Sequence, residues 1–158
     1  MKEPFLPYLS LEQMYVSPVV QQEDGSYKCL SWQEMKQVAM PQTGSRLMDA
    51  VVRTLATMPC RKGVEVANHL DVNVVKLSNA VSMNCGLCLN ELIVACRLRL
   101  ACDLIHYTQL STEEVANRCG LSDSTILEHL LKNKLKTTFI DYRKKFQKTA
   151  SKKITVYK

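Results

Sequence analysis

The spacing of apolar residues along this chain changes character near residue 44. Before that point they come in short β-favouring runs, Met14-Tyr15-Val16 and Tyr27-Lys28-Cys29-Leu30, on either side of Gln22-Glu23-Asp24-Gly25-Ser26. Asp-Gly supplies the positive-φ residue that a tight reversal needs, so this stretch predicts a β-hairpin. Gln33 to Val38 reads as a short helix, and Pro41-Gln42-Thr43-Gly44 as a linker.

From Ser45 onward the period is helical. Leu47, Ala50, Val51, Thr54 and Leu55 share one face at i, i+3, i+4 spacing, and Pro59 stops that helix. Val64, Val66, Ala67 and Leu70 mark a second helix, and Val74 to Met83 a third. A long fourth helix is predicted from Leu89 to Tyr107, burying Leu89, Leu92, Ile93, Cys96, Leu100, Ala101, Leu104 and Ile105. Ser111-Thr112-Glu113-Glu114 is a capping box that opens a fifth helix, Thr112 to Cys119, which Gly120 breaks. The sixth runs from Asp123 to Leu135 and the seventh from Phe139 to Phe146. Ile154-Thr155-Val156-Tyr157 is strand-like. The division predicted is an N-terminal hairpin extension over 1–43, a helical domain over 44–148 and a basic tail over 149–158 with a short strand.

Within the helical region the chain repeats itself. Glu65-Val66-Ala67-Asn68 and Glu114-Val115-Ala116-Asn117 are identical and lie 49 positions apart. Four residues after each Ala comes a turn residue, Asp71 or Gly120, then an apolar one, Val72 or Leu121, then a helix N-cap, Asn73 or Ser122. This is the grammar of a helix-turn-helix. The Ala is small because the second helix crosses close over it, and the turn residue must accept a left-handed backbone. The second helix then buries one face and offers the other outward. Leu77, Ala80 and Val81 face inward in the first unit, and Leu127, Leu130 and Leu131 in the second, with Ile126 at the margin.

Composition agrees with a mostly α fold. Aromatics make up 6% and the apolar positions are chiefly Leu, Val, Ala, Cys and Met. Charge is graded. Residues 1–43 carry three Lys against five acids, residues 44–110 seven Lys and Arg against five, and residues 111–158 eleven against five. The positive end is placed to meet phosphates. Seven cysteines sit mostly within apolar helical patterns. With no secretory leader at Met1-Lys2-Glu3-Pro4 and no apolar run near ~20 residues, a cytoplasmic, nucleoid-associated protein with reduced thiols is expected.

Leu110-Ser111-Thr112-Glu113-Glu114-Val115-Ala116-Asn117-Arg118-Cys119-Gly120-Leu121-Ser122-Asp123-Ser124 resembles the second helix-turn-helix of the AraC/XylS family of bacterial transcription regulators. Asp141-Tyr142-Arg143-Lys144-Lys145 is similar to that family's closing motif, and the likeness extends through Arg97-Leu98-Arg99-Leu100-Ala101, Gly86 and Leu77 over residues 45–147. The resemblance implies seven helices, forming a homeodomain-like pair of helix-turn-helix units joined by a long linker helix. It also implies two recognition helices in successive major-groove segments, about 34 Å apart. It implies double-stranded DNA and RNA polymerase as partners, and transcription regulation as the function. No nucleotide-binding glycine loop, metallohydrolase motif or serine nucleophile elbow appears, so no enzymatic activity and no cofactor are expected.

The candidate base-reading residues are Val75, Lys76, Asn79, Ser82 and Met83 in the first unit and Ser124, Thr125, Glu128 and His129 in the second. Lys132, Lys134, Lys136, Arg143, Lys144 and Lys145 are the candidate phosphate contacts. The chain departs from the family at several places. Asn79 and His129 stand where a basic residue is usual, Val81 and Leu131 where the family has phenylalanine, Lys136 where it has glycine, and Leu89 and Phe139 where it has proline. Base readout by the first unit would rest on Asn79, Ser78, Ser82 and contacts from Val75 or Met83 to thymine methyls.

The alternative reading is a protein-interaction module on the same fold without specific operator binding. It is motivated by the sparse charge of the first recognition helix and by Glu128, and it uses the hairpin with Ile154–Tyr157 as a docking or dimer edge. Cys85-Gly86-Leu87-Cys88 allows a third reading, thiol redox sensing, but no second Cys-x-x-Cys completes a metal site.

Overall fold

The computed structural model describes residues 8–145 of the 158. The predicted strand at Ile154–Tyr157, the basic tail and the predicted end of the last helix at Phe146 lie outside the described residues. The elements run α1 (Leu11–Met14), β1 (Val19–Gln21), β2 (Tyr27–Cys29), α2 (Trp32–Met35), α3 (Arg46–Thr57), α4 (Gly63–Leu70), α5 (Val74–Cys85), α6 (Leu89–Tyr107), α7 (Thr112–Arg118) and α8 (Ser124–Leu135). A further helix, α9, is described over residues 139–145. The fold is mostly helical with one small antiparallel sheet, β1-β2. The seven predicted helices are α3 to α9, and the long fourth one is α6, 19 residues from Leu89 to Tyr107 as expected.

The chain forms two compact units, each holding one copy of the repeat. Residues 17–38 and 97 onward make one, and the remaining described residues make the other. The N-terminal residues therefore divide between the two helix pairs.

The first unit is built on α3, α4, α5 and the first half of α6. Ser45 caps α3 through its Oγ, which accepts from the Met48 N–H at 3.2 Å, and the helix ends before Pro59. Met48, Val51, Val52 and Leu55 of α3 share a buried cluster with Val66, Ala67, Leu77, Val81, Leu89, Leu92, Ile93 and Cys96. Burying a full-sized aliphatic side chain of this kind stabilises by about 1.5–3 kcal/mol. The arm before the hairpin enters the same cluster, with Met14 buried and the Leu9 N–H donating to the Asn84 carbonyl at 2.9 Å. Gly63 lets α4 start hard against α6. Its N–H donates to Asn90 Oδ1 at 2.6 Å, and a Cβ there would sit 2.9 Å from a Leu89 methyl.

The second unit holds the hairpin. Val19 pairs with Cys29, Val20 with Lys28 and Gln21 with Tyr27. Asp24-Gly25 forms the reversal as expected, with Gly25 at φ 89 and Asp24 Oδ1 accepting from the Ser26 N–H and hydroxyl at 2.9 and 2.6 Å. These bonds hold the Asp24 carboxyl below its ordinary pKa. The first strand is not Met14-Tyr15-Val16. A five-residue loop over 22–26 joins Gln21 directly to Tyr27, so the pairing partner must be the run just before the loop. Met14 instead ends the short helix α1 and is buried. The predicted helix over Gln33–Val38 starts one residue earlier and ends at Met35, with Ser31 and Glu34 completing a capping box.

Leu100, Ala101, Leu104 and Ile105 of α6, Val115, Ala116 and Cys119 around α7, Leu127 and Leu131 of α8, Phe139 and Met35 are all buried. The apolar face of α6 is thus buried at every predicted position from Leu89 to Ile105.

Candidate nucleic-acid interface

The two copies of the repeat close their turns with the same hydrogen bonds. The Val72 N–H reaches the Ala67 carbonyl at 3.0 Å, and the Leu121 N–H the Ala116 carbonyl at 2.9 Å. The Asp71 N–H reaches the Asn68 carbonyl at 3.2 Å, and the Gly120 N–H the Asn117 carbonyl at 3.1 Å. Both turn residues are left-handed, Asp71 at φ 57 and Gly120 at φ 77. Ala67 and Ala116 are buried to 1% exposure, as the close crossing of the second helix requires.

The copies then diverge by one residue. Asn73 caps α5, its Oδ1 accepting from Val75 N–H at 2.9 Å and Lys76 N–H at 3.0 Å. In the second copy the cap is Asp123, whose Oδ1 accepts from the Ile126 N–H at 3.1 Å. The expected cap Ser122 falls in the turn, because the second turn is one residue longer. From there the positions of α5 and α8 correspond in sequence at an offset of 50. Both end in a left-handed residue, Gly86 at φ 80 and Lys136 at φ 56, whose N–H groups return to the Ser82 and Lys132 carbonyls at 2.8 and 3.1 Å.

The outward face of α5 carries Val75, Lys76, Asn79 and Met83, all exposed, with Ser82 half-buried beside them. Val75 is 63% exposed and Met83 81%. Ser78 is turned to structure, its Oγ accepting from the Leu89 N–H at 3.2 Å. On α8, Thr125, His129 and Lys132 are exposed, Ser124 is half-buried, and Ile126, expected at the inner margin, is 43% exposed. Ile126 follows Thr125 on the first turn of α8 and joins its outward face. Its apolar character hid it among the core candidates, although it occupies the position of Lys76 in the first copy.

Two charged candidates do something else. Glu128 Oε1 accepts from the Phe139 N–H at 3.1 Å and so caps the start of α9. Arg143 is a half-buried clamp. Its Nε, Nη1 and Nη2 donate to the carbonyls of Ile105, Leu110 and Thr108 at 3.2, 2.7 and 3.1 Å, and its Cζ lies 4.7 Å from the Phe139 ring centre. A helix leaves its last carbonyls without intrahelical donors, and Arg143 serves the end of α6. These three bonds give the guanidinium a structural role in the fold. Lys132, Lys134, Lys136, Lys144 and Lys145 are exposed.

Four solved structures share this architecture at a significant level. The C-terminal domain of AraT, a response regulator from Geobacillus stearothermophilus, is 24% identical over 64% of this chain and 88% of its own, with a TM-score of 0.55. The DNA-binding domain of AdpA, a global transcriptional factor solved in complex with a target DNA, is 22% identical over 66% and 96%, at 0.59. A DNA-binding transcriptional dual regulator from Escherichia coli K-12 is 16% identical over 71% and 98%, at 0.56. The chain has the AraC/XylS-type double helix-turn-helix fold. No protein-family model matches the sequence, and no curated protein matches it either. At these identities the AraC-type likeness is one of fold.

The cysteines of this AraC-type fold are mostly held as thiols by burial. Burial pushes the Cys85 and Cys102 thiols up, and Cys119 up to about 12. Cys85 Sγ donates to the Leu87 carbonyl at 3.7 Å. Thiolate is the reactive form, so none of these three is activated. Among the described residues no group of His, Cys, Asp and Glu could hold a metal ion. Among them, too, no helix is long and apolar enough to cross a membrane.

Proposed function

We propose that this protein is a sequence-specific, double-stranded-DNA-binding transcription regulator rather than an enzyme, with α5 and α8 as its recognition helices. The observation that carries this reading is the duplicated turn. Two helix-turn-helix units with matching turn hydrogen bonds each present an outward face on their second helix. Val75, Lys76, Asn79, Ser82 and Met83 on α5 and Ser124, Thr125, Ile126 and His129 on α8 are the base-reading set. Lys132, Lys134, Lys136, Lys144 and Lys145 supply phosphate contacts, which position the protein without reading sequence. The second unit therefore provides most of the electrostatic affinity.

Selection of bound duplexes from a random pool, followed by anisotropy titrations at physiological salt, tests the reading. A recovered site bound at least about 10³-fold more tightly than random DNA is the expected outcome. Salt-sensitive binding with no preferred site would remove the regulator reading and favour the protein-interaction module, for which the apolar exposure of Val75 and Met83 is the supporting feature.

A further inference from the structure

We infer that α5 reads an adenine flanked by thymines, so that its half of the operator is A·T-rich while the half under α8 is held chiefly through phosphates. This rests on the DNA-binding reading above and assigns the chemistry of its ligand. Val75, Asn79 and Met83 lie four residues apart on the exposed face of α5. Val75 and Met83 are 63% and 81% exposed. Lys76 is the only charged residue on the helix. A valine and a methionine held this far into solvent, on a helix with one charge, cannot be drawing on phosphates. In the major groove the one apolar group that a base edge presents is the thymine C5 methyl. Between them, the Asn79 amide offers a donor and an acceptor together, the pair that matches adenine N6 and N7.

The spacing fits. Four residues of helix rise about 6 Å, and successive base pairs are about 3.4 Å apart. For a helix lying along the groove, each step from Val75 to Asn79 to Met83 spans close to two base pairs. On α8 the corresponding positions are Thr125, His129 and Asn133, with the exposed Lys132 and Lys134 on either side of the last and Lys136 beyond, so α8 has an uncharged polar residue between two lysines where α5 has a methionine. One helix thus reads methyls and an adenine, and the other leans on the backbone.

The test uses the full chain and the site recovered by selection. The α5 half is the half whose base preference relaxes in Asn79→Ala. Each thymine there is replaced by deoxyuridine, which pairs as thymine does and lacks only the methyl. Affinity is expected to fall about fourfold per contacted methyl, with the slope of log K against log[salt] unchanged. The same replacement in the α8 half changes affinity less than twofold at every thymine except one met by Ile126, the single exposed apolar residue in the base-reading set of that helix. Val75→Ala and Met83→Ala are each expected to lose the response at one thymine and keep it at the other, and Val75→Thr, which keeps the side-chain shape, serves if Val75→Ala does not fold. Deoxyuridine that leaves the α5 half unaffected, or a G·C-rich α5 half, overturns this inference and leaves sequence-specific binding intact. Failure to recover any preferred site overturns both.

Discussion

The Arg118 guanidinium lies 4.0 Å from the centre of the Trp32 ring while its Nε and Nη2 donate to the Leu30 carbonyl at 3.1 and 2.7 Å. Arg97, 5% exposed, lies 5.1 Å from the same ring. One turn of helix after the hairpin is thereby fastened to the end of α7. Cation–π contact and charge-assisted hydrogen bonds act together here, between a half-buried tryptophan and a half-buried arginine. Trp32→Ala is expected to destabilise the second unit by about 2 kcal/mol or more. Denaturant titration followed by circular dichroism measures this, and an unchanged midpoint would show that the anchor contributes nothing.

Lys136 sits in a left-handed conformation at the end of α8, where the first copy of the repeat has Gly86. A side chain with a Cβ pays for this backbone by about 1 kcal/mol or more. Lys136→Gly is therefore expected to stabilise the protein by roughly 0.5–1 kcal/mol, the strain relieved being partly offset by the greater unfolded-state freedom of glycine. Thermal melts would show a rise of about 2 °C. Because Lys136 is exposed and near a phosphate-contact set, the same variant is expected to bind DNA more weakly, with a salt slope smaller by about 1. A melt that falls instead would mean that the Lys136 side chain contributes more than its backbone costs.

Arg143 and Lys132 come from one basic C-terminal region but should behave oppositely. Arg143→Ala removes three hydrogen bonds to carbonyls around the end of α6 and is expected to cost about 2–4 kcal/mol of stability. On folded protein it leaves the salt slope of DNA binding unchanged. Lys132→Ala should leave stability within about 0.5 kcal/mol and lower the slope by about 1. Measuring both variants below the melting transition of Arg143→Ala separates the two effects, and a reduced slope for Arg143→Ala would return it to the phosphate contacts.

These residues show what the sequence discloses and what it conceals. The helices from α3 onward follow from apolar periodicity, and the repeat follows from Ala67 and Ala116 with their turns, because local backbone demands leave local signatures. The hairpin loop was legible at Asp24-Gly25, but its first strand was displaced, since Met14-Tyr15-Val16 and Val19-Val20-Gln21 are both short β-favouring runs and only loop closure chooses between them. The Trp32 anchor left no signal. Its partner Arg118 is 88 positions from Leu30, and no period links them. The structural role of Arg143 is hidden in the sequence because a basic run suggests phosphate, whereas the open carbonyls of a helix end attract the same guanidinium. Of the candidate interface, the outward faces were readable from helical phase, but Ile126 and Glu128 were not, because a single apolar or acidic residue does not announce whether it faces core, solvent or a neighbouring helix start.

Cys119 offers a test by pH. Burial raises its thiol from 9.0 to about 12, with the neighbouring Arg97 and Arg118 pulling it down only in part. The folded state therefore holds this proton more tightly than the unfolded chain does. The stabilisation is fully present below about pH 9 and is lost as pH climbs toward 12. Denaturant midpoints are expected to fall over that interval, and to fall less steeply in Cys119→Ala, which has no thiol to ionise. Equal pH dependence in the two proteins would place the titration elsewhere.

Glu128 separates capping from charge. Its Oε1 accepts from the Phe139 N–H at 3.1 Å, which an amide oxygen can also do. Glu128→Gln is expected to keep stability within about 0.5 kcal/mol while removing one negative charge from a helix otherwise rich in lysine. Non-specific DNA affinity at low salt should then rise a fewfold, since a repulsion against phosphate has gone. Glu128→Ala removes the charge and the acceptor together. Its DNA affinity should rise similarly, but it should lose about 1 kcal/mol of stability through the uncapped Phe139 N–H at the start of α9. If Gln loses as much stability as Ala, the carboxylate charge rather than the hydrogen bond holds that helix end. If neither variant gains DNA affinity, α8 does not approach the phosphate backbone at this position.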